Sequence, residues 1–214
     1  MKLALSNSKF YLYLCLCILA FSCSKDEEDP LLFTLLNSKD TGIEFTNRLA
    51  TDADFNIIEY LYYYNGGGVA VGDINNDGLD DIFFTSNQET NKLYLNQGDL
   101  NFQDITLDAG ILNNKDWSSG VTMADINNDG YLDIYVSQVS GYKGLKGHNL
   151  LYINNGDLTF TEMSSQTGLD FMGFGTQALF FDYDLDGDLD VYLLNHSVHS
   201  VGNYGEADAL RSRK

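Results

Sequence analysis

One acidic nonapeptide occurs three times in this chain, as Asp73-Ile74-Asn75-Asn76-Asp77-Gly78-Leu79-Asp80-Asp81, as Asp125-Ile126-Asn127-Asn128-Asp129-Gly130-Tyr131-Leu132-Asp133, and as Asp182-Tyr183-Asp184-Leu185-Asp186-Gly187-Asp188-Leu189-Asp190. In every copy a side-chain oxygen falls at positions 1, 3, 5 and 9: Asp73, Asn75, Asp77 and Asp81; Asp125, Asn127, Asp129 and Asp133; Asp182, Asp184, Asp186 and Asp190. Position 6 is always glycine, which tolerates the positive φ of a sharp bend. Ca²⁺ takes about six to eight oxygens, and alternate Asp or Asn residues on a tight loop aim them inward. Position 7 (Leu79, Tyr131, Asp188) is expected to add a backbone carbonyl. Without an ion the loops are poor, since two carboxylates about 5 Å apart repel by roughly 3 kcal/mol at an effective dielectric of 20. The spacing predicts three calcium loops and about three bound ions. A plain acidic turn could explain one copy but not three in register.

An EF-hand needs a bidentate acid at position 12. Here that place holds Phe84, Val136 and Leu193. The flanks, Gly68-Val69-Ala70-Val71-Gly72 before and Ile82-Phe83-Phe84 after, are short apolar runs bounded by turn residues. Such runs read as buried strands, so the loops are expected to connect β-hairpins.

The repeat is longer than its loop, 52 residues from Asp73 to Asp125 and 57 from Asp125 to Asp182. A second signature recurs inside it: Asn91-Lys92-Leu93-Tyr94-Leu95-Asn96-Gln97-Gly98-Asp99 aligns with Asn149-Leu150-Leu151-Tyr152-Ile153-Asn154-Asn155-Gly156-Asp157. Each unit therefore predicts four strands, two flanking the acidic loop and two flanking a Gly-Asp turn. Four short antiparallel strands repeated radially make a propeller blade. The fold class expected is all-β, a partial β-propeller of about three four-stranded blades over residues 31–214.

The formal charge of −19 excludes a nucleic-acid partner, since phosphates require a basic face. Residues 1–22 read as a targeting segment, with Lys2 and Lys9 ahead of the apolar run from Phe10 to Phe21. The run ends Ala20-Phe21-Ser22-Cys23, which resembles the lipobox of bacterial lipoproteins and marks Cys23 for lipidation and membrane attachment. With Cys15 and Cys17 inside the removed segment, no thiol remains for a disulfide, and metal is the expected source of extra stability. Residues 23–30 form an acidic tether, either a solvated linker or a segment resembling the surface-export signal of some lipoproteins.

The stretch Gly68-Val69-Ala70-Val71-Gly72-Asp73-Ile74-Asn75-Asn76-Asp77-Gly78-Leu79-Asp80-Asp81-Ile82 resembles the FG-GAP/VCBS repeat of integrin-α-like propellers. Thr41-Gly42-Ile43-Glu44-Phe45, Tyr64-Asn65-Gly66-Gly67-Gly68 and Phe181-Asp182-Tyr183-Asp184-Leu185-Asp186-Gly187-Asp188 are similar to the branch related to cartilage acidic protein, whose members usually end in an ASPIC/UnbV domain. The resemblance covers roughly residues 31–205 and implies calcium at the residues named above. Integrin-like propellers close with more blades than three loops supply. The chain therefore reads as an N-terminal fragment, the alternative being an open arc with an uncovered blade face.

The function expected is non-catalytic: a lipid-anchored outer-membrane or cell-surface scaffold for adhesion or for capture of a protein or glycan ligand. The alternatives are an accessory domain of a longer secreted enzyme and a glycan-binding component of a nutrient-uptake system. Carboxylates that hold an ion are poor general acids, because the cation keeps them deprotonated. Of the remaining candidates, His196 and His199 are expected in a solvated loop, the alternative being a transition-metal pair on a helix. His148 is expected at the surface, and Trp117 in packing at a blade entry, the alternative being sugar stacking.

Overall fold

The computed structural model describes residues 32–112 and 115–197. The targeting segment, Cys23, the acidic tether and His199 lie outside the described residues. The chain divides into Met1–Leu36 and Asn37–Lys214, and every strand belongs to the second unit.

The acidic loops sit where the flanking apolar runs require, between paired strands. In the first sheet β1 (Val69–Gly72), β2 (Asp81–Phe84), β3 (Lys92–Asn96) and β4 (Phe102–Asp104) lie side by side in chain order, all antiparallel. The second repeats it with β5 (Trp117–Ala124), β6 (Asp133–Val139), β7 (Leu150–Asn154) and β8 (Phe160–Glu162). The third pairs β9 (Gly175–Phe181) with β10 (Asp190–Asn195), its first two strands among the described residues. The four strands expected per unit are present in the first two sheets, the acidic loop joining strands one and two. The Gly-Asp turn joins three and four, closed by hydrogen bonds from Gln97 N to Asn101 O (2.7 Å) and from Asn155 N to Thr159 O (3.0 Å). Both sheets also close the link between strands two and three with one shared bond: Ser86 N to Asn91 Oδ1 and Gln138 N to Asn149 Oδ1, each 2.8 Å. Among the described residues helix is confined to two single turns, α1 (Ser38–Thr41) and α2 (Ser164–Thr167).

Burial along the strands shows how the sheets stack. A strand with one wet face alternates, whereas one covered on both faces is buried throughout. All seven residues of β6 are buried. Ile134 and Val136 join Ala70, Phe83 and Leu93 in a core between the first two sheets. Tyr135, on the opposite face, packs with Leu151, Ala178, Phe180 and Val191 between the second and third. Each fully buried Leu, Ile or Phe contributes about 1.5–3 kcal/mol, so the second sheet is held from both sides. Strand β10 alternates instead: Val191 and Leu193 pack inward, while Tyr192 and Leu194 stay exposed. On the far side of the first sheet Val69 and Val71 are exposed, and Phe45 stacks on Phe84 at 4.8 Å.

The first strands of the three sheets approach one another. Gly68 N donates to Ser119 O at 2.6 Å, Ser119 Oγ to Gly175 O at 2.7 Å, and Thr122 Oγ1 to Ala178 O at 2.6 Å. Gly120 permits this closeness, because a Cβ there would collide with the Gln177 side chain and the Thr176 carbonyl. Sheets that meet along their first strands and stack face to face are arranged as propeller blades are.

Candidate metal centres

Each acidic loop is closed by its own carboxylates accepting backbone N–H groups. In the first, Asp73 accepts from Asn75 N (3.3 Å), Asp77 N (3.1 Å) and Gly78 N (2.7 Å), and Asp77 accepts from Leu79 N (2.8 Å). The second is nearly superposable in its bonds: Asp125 accepts from Asp129 N and Gly130 N, both 2.9 Å, and Asp129 from Tyr131 N (2.9 Å). The third keeps the pattern, with Asp182 accepting from Asp186 N (3.2 Å) and Gly187 N (3.1 Å), and Asp186 from Asp188 N (3.0 Å). Two left-handed residues make this path. Position 6 has φ of 86°, 91° and 97° at Gly78, Gly130 and Gly187, where a Cβ would meet nothing within 4 Å, so backbone angle alone selects glycine. Position 4 is also left-handed, Asn76 at 60°, Asn128 at 57° and Leu185 at 63°. Asn visits this region readily and Leu does not.

Position 9 has a second duty. Asp81 is buried, its Oδ2 accepting from Ile74 N (3.0 Å) and its Oδ1 from Asn96 N (2.7 Å). Asp133 does the same with Ile126 N and Asn154 N, both 2.9 Å. These carboxylates therefore staple the loop to the third strand of the sheet. In the third loop Asp190 accepts from Tyr183 N at 2.9 Å and is exposed.

The electrostatics follow from this geometry. Burial pushes the Asp81 and Asp133 carboxyls above the usual range. The two backbone N–H bonds pull the other way, and the carboxylates at positions 1 and 5 add to the rise. Burial also pushes on Asp73, but the N–H groups around it prevail and hold it below the ordinary value. Positions 1, 3 and 9 of the third loop, Asp182, Asp184 and Asp190, each bring an oxygen within 4.8 Å of the others. The first two loops have Asn at position 3, and Asn75 and Asn127 donate their amides to Asp77 (2.9 Å) and Asp129 (2.8 Å). The donor set fits a hard divalent cation in all three, oxygen only with carboxylates dominant.

The other sequence candidates divide. Trp117 is a packing residue, 2% exposed and edge-on to Phe55 and Tyr60. His196 is not in a solvated loop. It is half-buried, its Nε2 lies 2.8 Å from Tyr60 Oη, and its ring packs 4.1 Å from that of Tyr62. His148 is half-buried and donates its backbone N–H to Gln138 Oε1. The aromatic nest around His196 leaves no compact signature in the sequence, because its members are scattered from Phe55 to His196. The Tyr60-to-Tyr64 run just ahead of three glycines is the one local signal of it.

Stacked four-stranded blades with an acidic loop after each first strand define a propeller-like repeat protein. Residues 73–136, from the first acidic loop through most of β6, match the FG-GAP-like repeat, so this region is an FG-GAP-like repeat domain. Over 134 residues the chain is 33% identical to cartilage acidic protein 1 of Xenopus tropicalis, covering 62% of this chain and 20% of that protein. It is 29% identical over 141 residues to the Homo sapiens protein of that name, covering 64% of this chain and 20% of that one. It is also 31% identical over 162 residues to integrin alpha-8 of Mus musculus, covering 69% of this chain and 15% of that one. The chain spans about a fifth or less of the length of these relatives.

Proposed function

We propose that this chain is the calcium-held, propeller-like part of a lipid-anchored cell-surface protein, acting as a non-catalytic scaffold for adhesion or ligand binding. The observation that carries the reading is the position-9 carboxylate, buried in the first two loops and pushed up by burial and by its acidic neighbours. A divalent cation beside it would supply the missing positive charge. The residues that would hold about three ions are Asp73, Asn75, Asp77 and Asp81, then Asp125, Asn127, Asp129 and Asp133, then Asp182, Asp184, Asp186 and Asp190. The carbonyls of Leu79, Tyr131 and Asp188 would complete the sets. When bound, calcium supplies charge neutralisation and cross-links each loop; it supplies no chemistry to a substrate.

Similarity to integrin alpha-8 and cartilage acidic protein 1 supports an extracellular binding role. Attachment through Cys23 rests on the sequence around it. Among the described residues no helix is long and apolar enough to cross a membrane.

The test is a calcium titration followed by thermal melting. Extracellular calcium modules bind at about 10⁻⁴–10⁻³ M, and the midpoint should rise and saturate in that range, then return on chelation. A melting curve indifferent to calcium and chelator alike would overturn the assignment. For the anchor, Cys23→Ser should move the protein from the membrane fraction to the soluble one.

A further inference from the structure

The acidic loops follow the last residues of β1, β5 and β9. At the opposite end, the glycines just before β1 and the first residues of β5 and β9 open onto a cleft of about 350 Å³. Tyr60 and Trp117, both buried, line its floor with Tyr62 and His196, and Gly66–Gly68, Ser119 and Gly120 complete the wall. Tyr60 and Trp117 are held edge-on at 5.6 Å with an interplanar angle of 89°. Tyr62 is only half-buried. The volume falls at the low end of the range for small-molecule sites, about 300–1,000 Å³.

The lining is neutral in a strongly acidic protein. The chain carries 31 Asp and Glu residues and 12 Lys and Arg residues, yet among the described residues none of these lines the cleft. Burial lowers the proton affinity of His196, so its imidazole is neutral near pH 7 and adds no charge. Thr176, on the cleft wall, has a buried hydroxyl with no hydrogen-bond partner among the described residues. Buried hydroxyls are nearly always paired, which points to a partner that occupies the cleft.

We infer that this cleft binds a neutral sugar, a single pyranose unit at the end of a glycan. A pyranose has an apolar C–H face that suits an aromatic surface and a rim of hydroxyls that needs donors and acceptors. The cleft offers the half-buried ring of Tyr62 beside glycine backbone and the one unpaired hydroxyl, that of Thr176. A charged ligand would find no countercharge here, and a wholly apolar one would leave the Thr176 hydroxyl unpaired. The inference rests on the scaffold reading above and names its ligand class. It also places ligand and ions at opposite ends of the inner strands, so the sugar needs no calcium bridge.

The experiment uses the full chain in calcium, titrated by calorimetry with the methyl glycosides of glucose, galactose, mannose and N-acetylglucosamine. At least one should bind saturably. Tyr62→Ala should weaken it about tenfold, and the near-isosteric Thr176→Val should weaken it severalfold, with melting unchanged in the Val variant. No saturable binding to any of the four overturns the site, as does wild-type affinity in both variants. A chain that is stabilised by calcium but takes no sugar sinks this inference and leaves the metal assignment standing. Sugar binding by a chain indifferent to calcium does the reverse.

Discussion

Asn76 in the first acidic loop donates its side-chain amide to the carbonyl of Gly130 in the second, at 3.0 Å. The two residues are 54 apart in sequence, and their loops belong to different sheets. Asn154 adds a second tie, donating from the second sheet to Ile74 O at 2.8 Å. The candidate metal centres are therefore mechanically joined. Asn76→Gly, which keeps the left-handed φ of 60° without strain, should cost about 0.5–1.5 kcal/mol in urea unfolding, with the slope of the transition unchanged.

Loss of one ion-facing carboxylate should matter only when an ion is present. Asp77→Ala and Asp129→Ala should lower the melting midpoint in calcium and have little effect in chelator. Equal losses in the two conditions would count against ligation by these residues.

Asp133→Ala should behave differently, because Asp133 also accepts from Ile126 N and Asn154 N. Removing the carboxylate strands two donors in or near the core, at about 1–3 kcal/mol each. A loss of stability that persists in chelator is the expected result, read by urea unfolding without metal.

Two glycines separate backbone strain from crowding. Gly78→Ala meets open space but a φ of 86°, and should cost about 1–2 kcal/mol. Gly120→Ala has no such angle to adopt but drives a methyl into Gln177 and the Thr176 carbonyl. It should cost more than Gly78→Ala and loosen the contact between the second and third sheets, detectable as faster amide exchange in β9.

Asp104 gives a pH dependence whose sign is fixed. Burial pushes its carboxyl up, but the Lys92 ammonium at 2.7 Å and the Thr106 hydroxyl and N–H outweigh it and hold the value below the ordinary 3.8. A depressed carboxylate adds stability that is present above the unfolded value and lost as pH falls through the folded one. The melting gap between wild type and Asp104→Asn should hold steady from about pH 7 to 5 and close below about pH 4. The pair is half-exposed, so the gap should be small.

Local features carry most of the fold. The nonapeptide of Asp73 to Asp81 and the Asn96-to-Phe102 turn are readable because their bonds span few residues. The strands beside them are readable from short apolar runs between those turns. Left-handed Gly78, Gly130 and Gly187 follow from the same short-range logic. Tyr192 and Leu194 on β10 are exposed, and the alternation that leaves them so is readable in the strand's own sequence.

By itself, then, the sequence determined the repeat, its strand order and the acidic bends, since each depends on backbone geometry over a few neighbouring positions. Only the tertiary structure decided that Asp81 and Asp133 staple loops to distant strands. It also decided that His196 meets Tyr60 across 136 residues and that glycines from three sheets open one neutral cleft. Those outcomes depend on how whole sheets stack, and stacking is set by side-chain volume and burial summed over the core rather than by any local pattern.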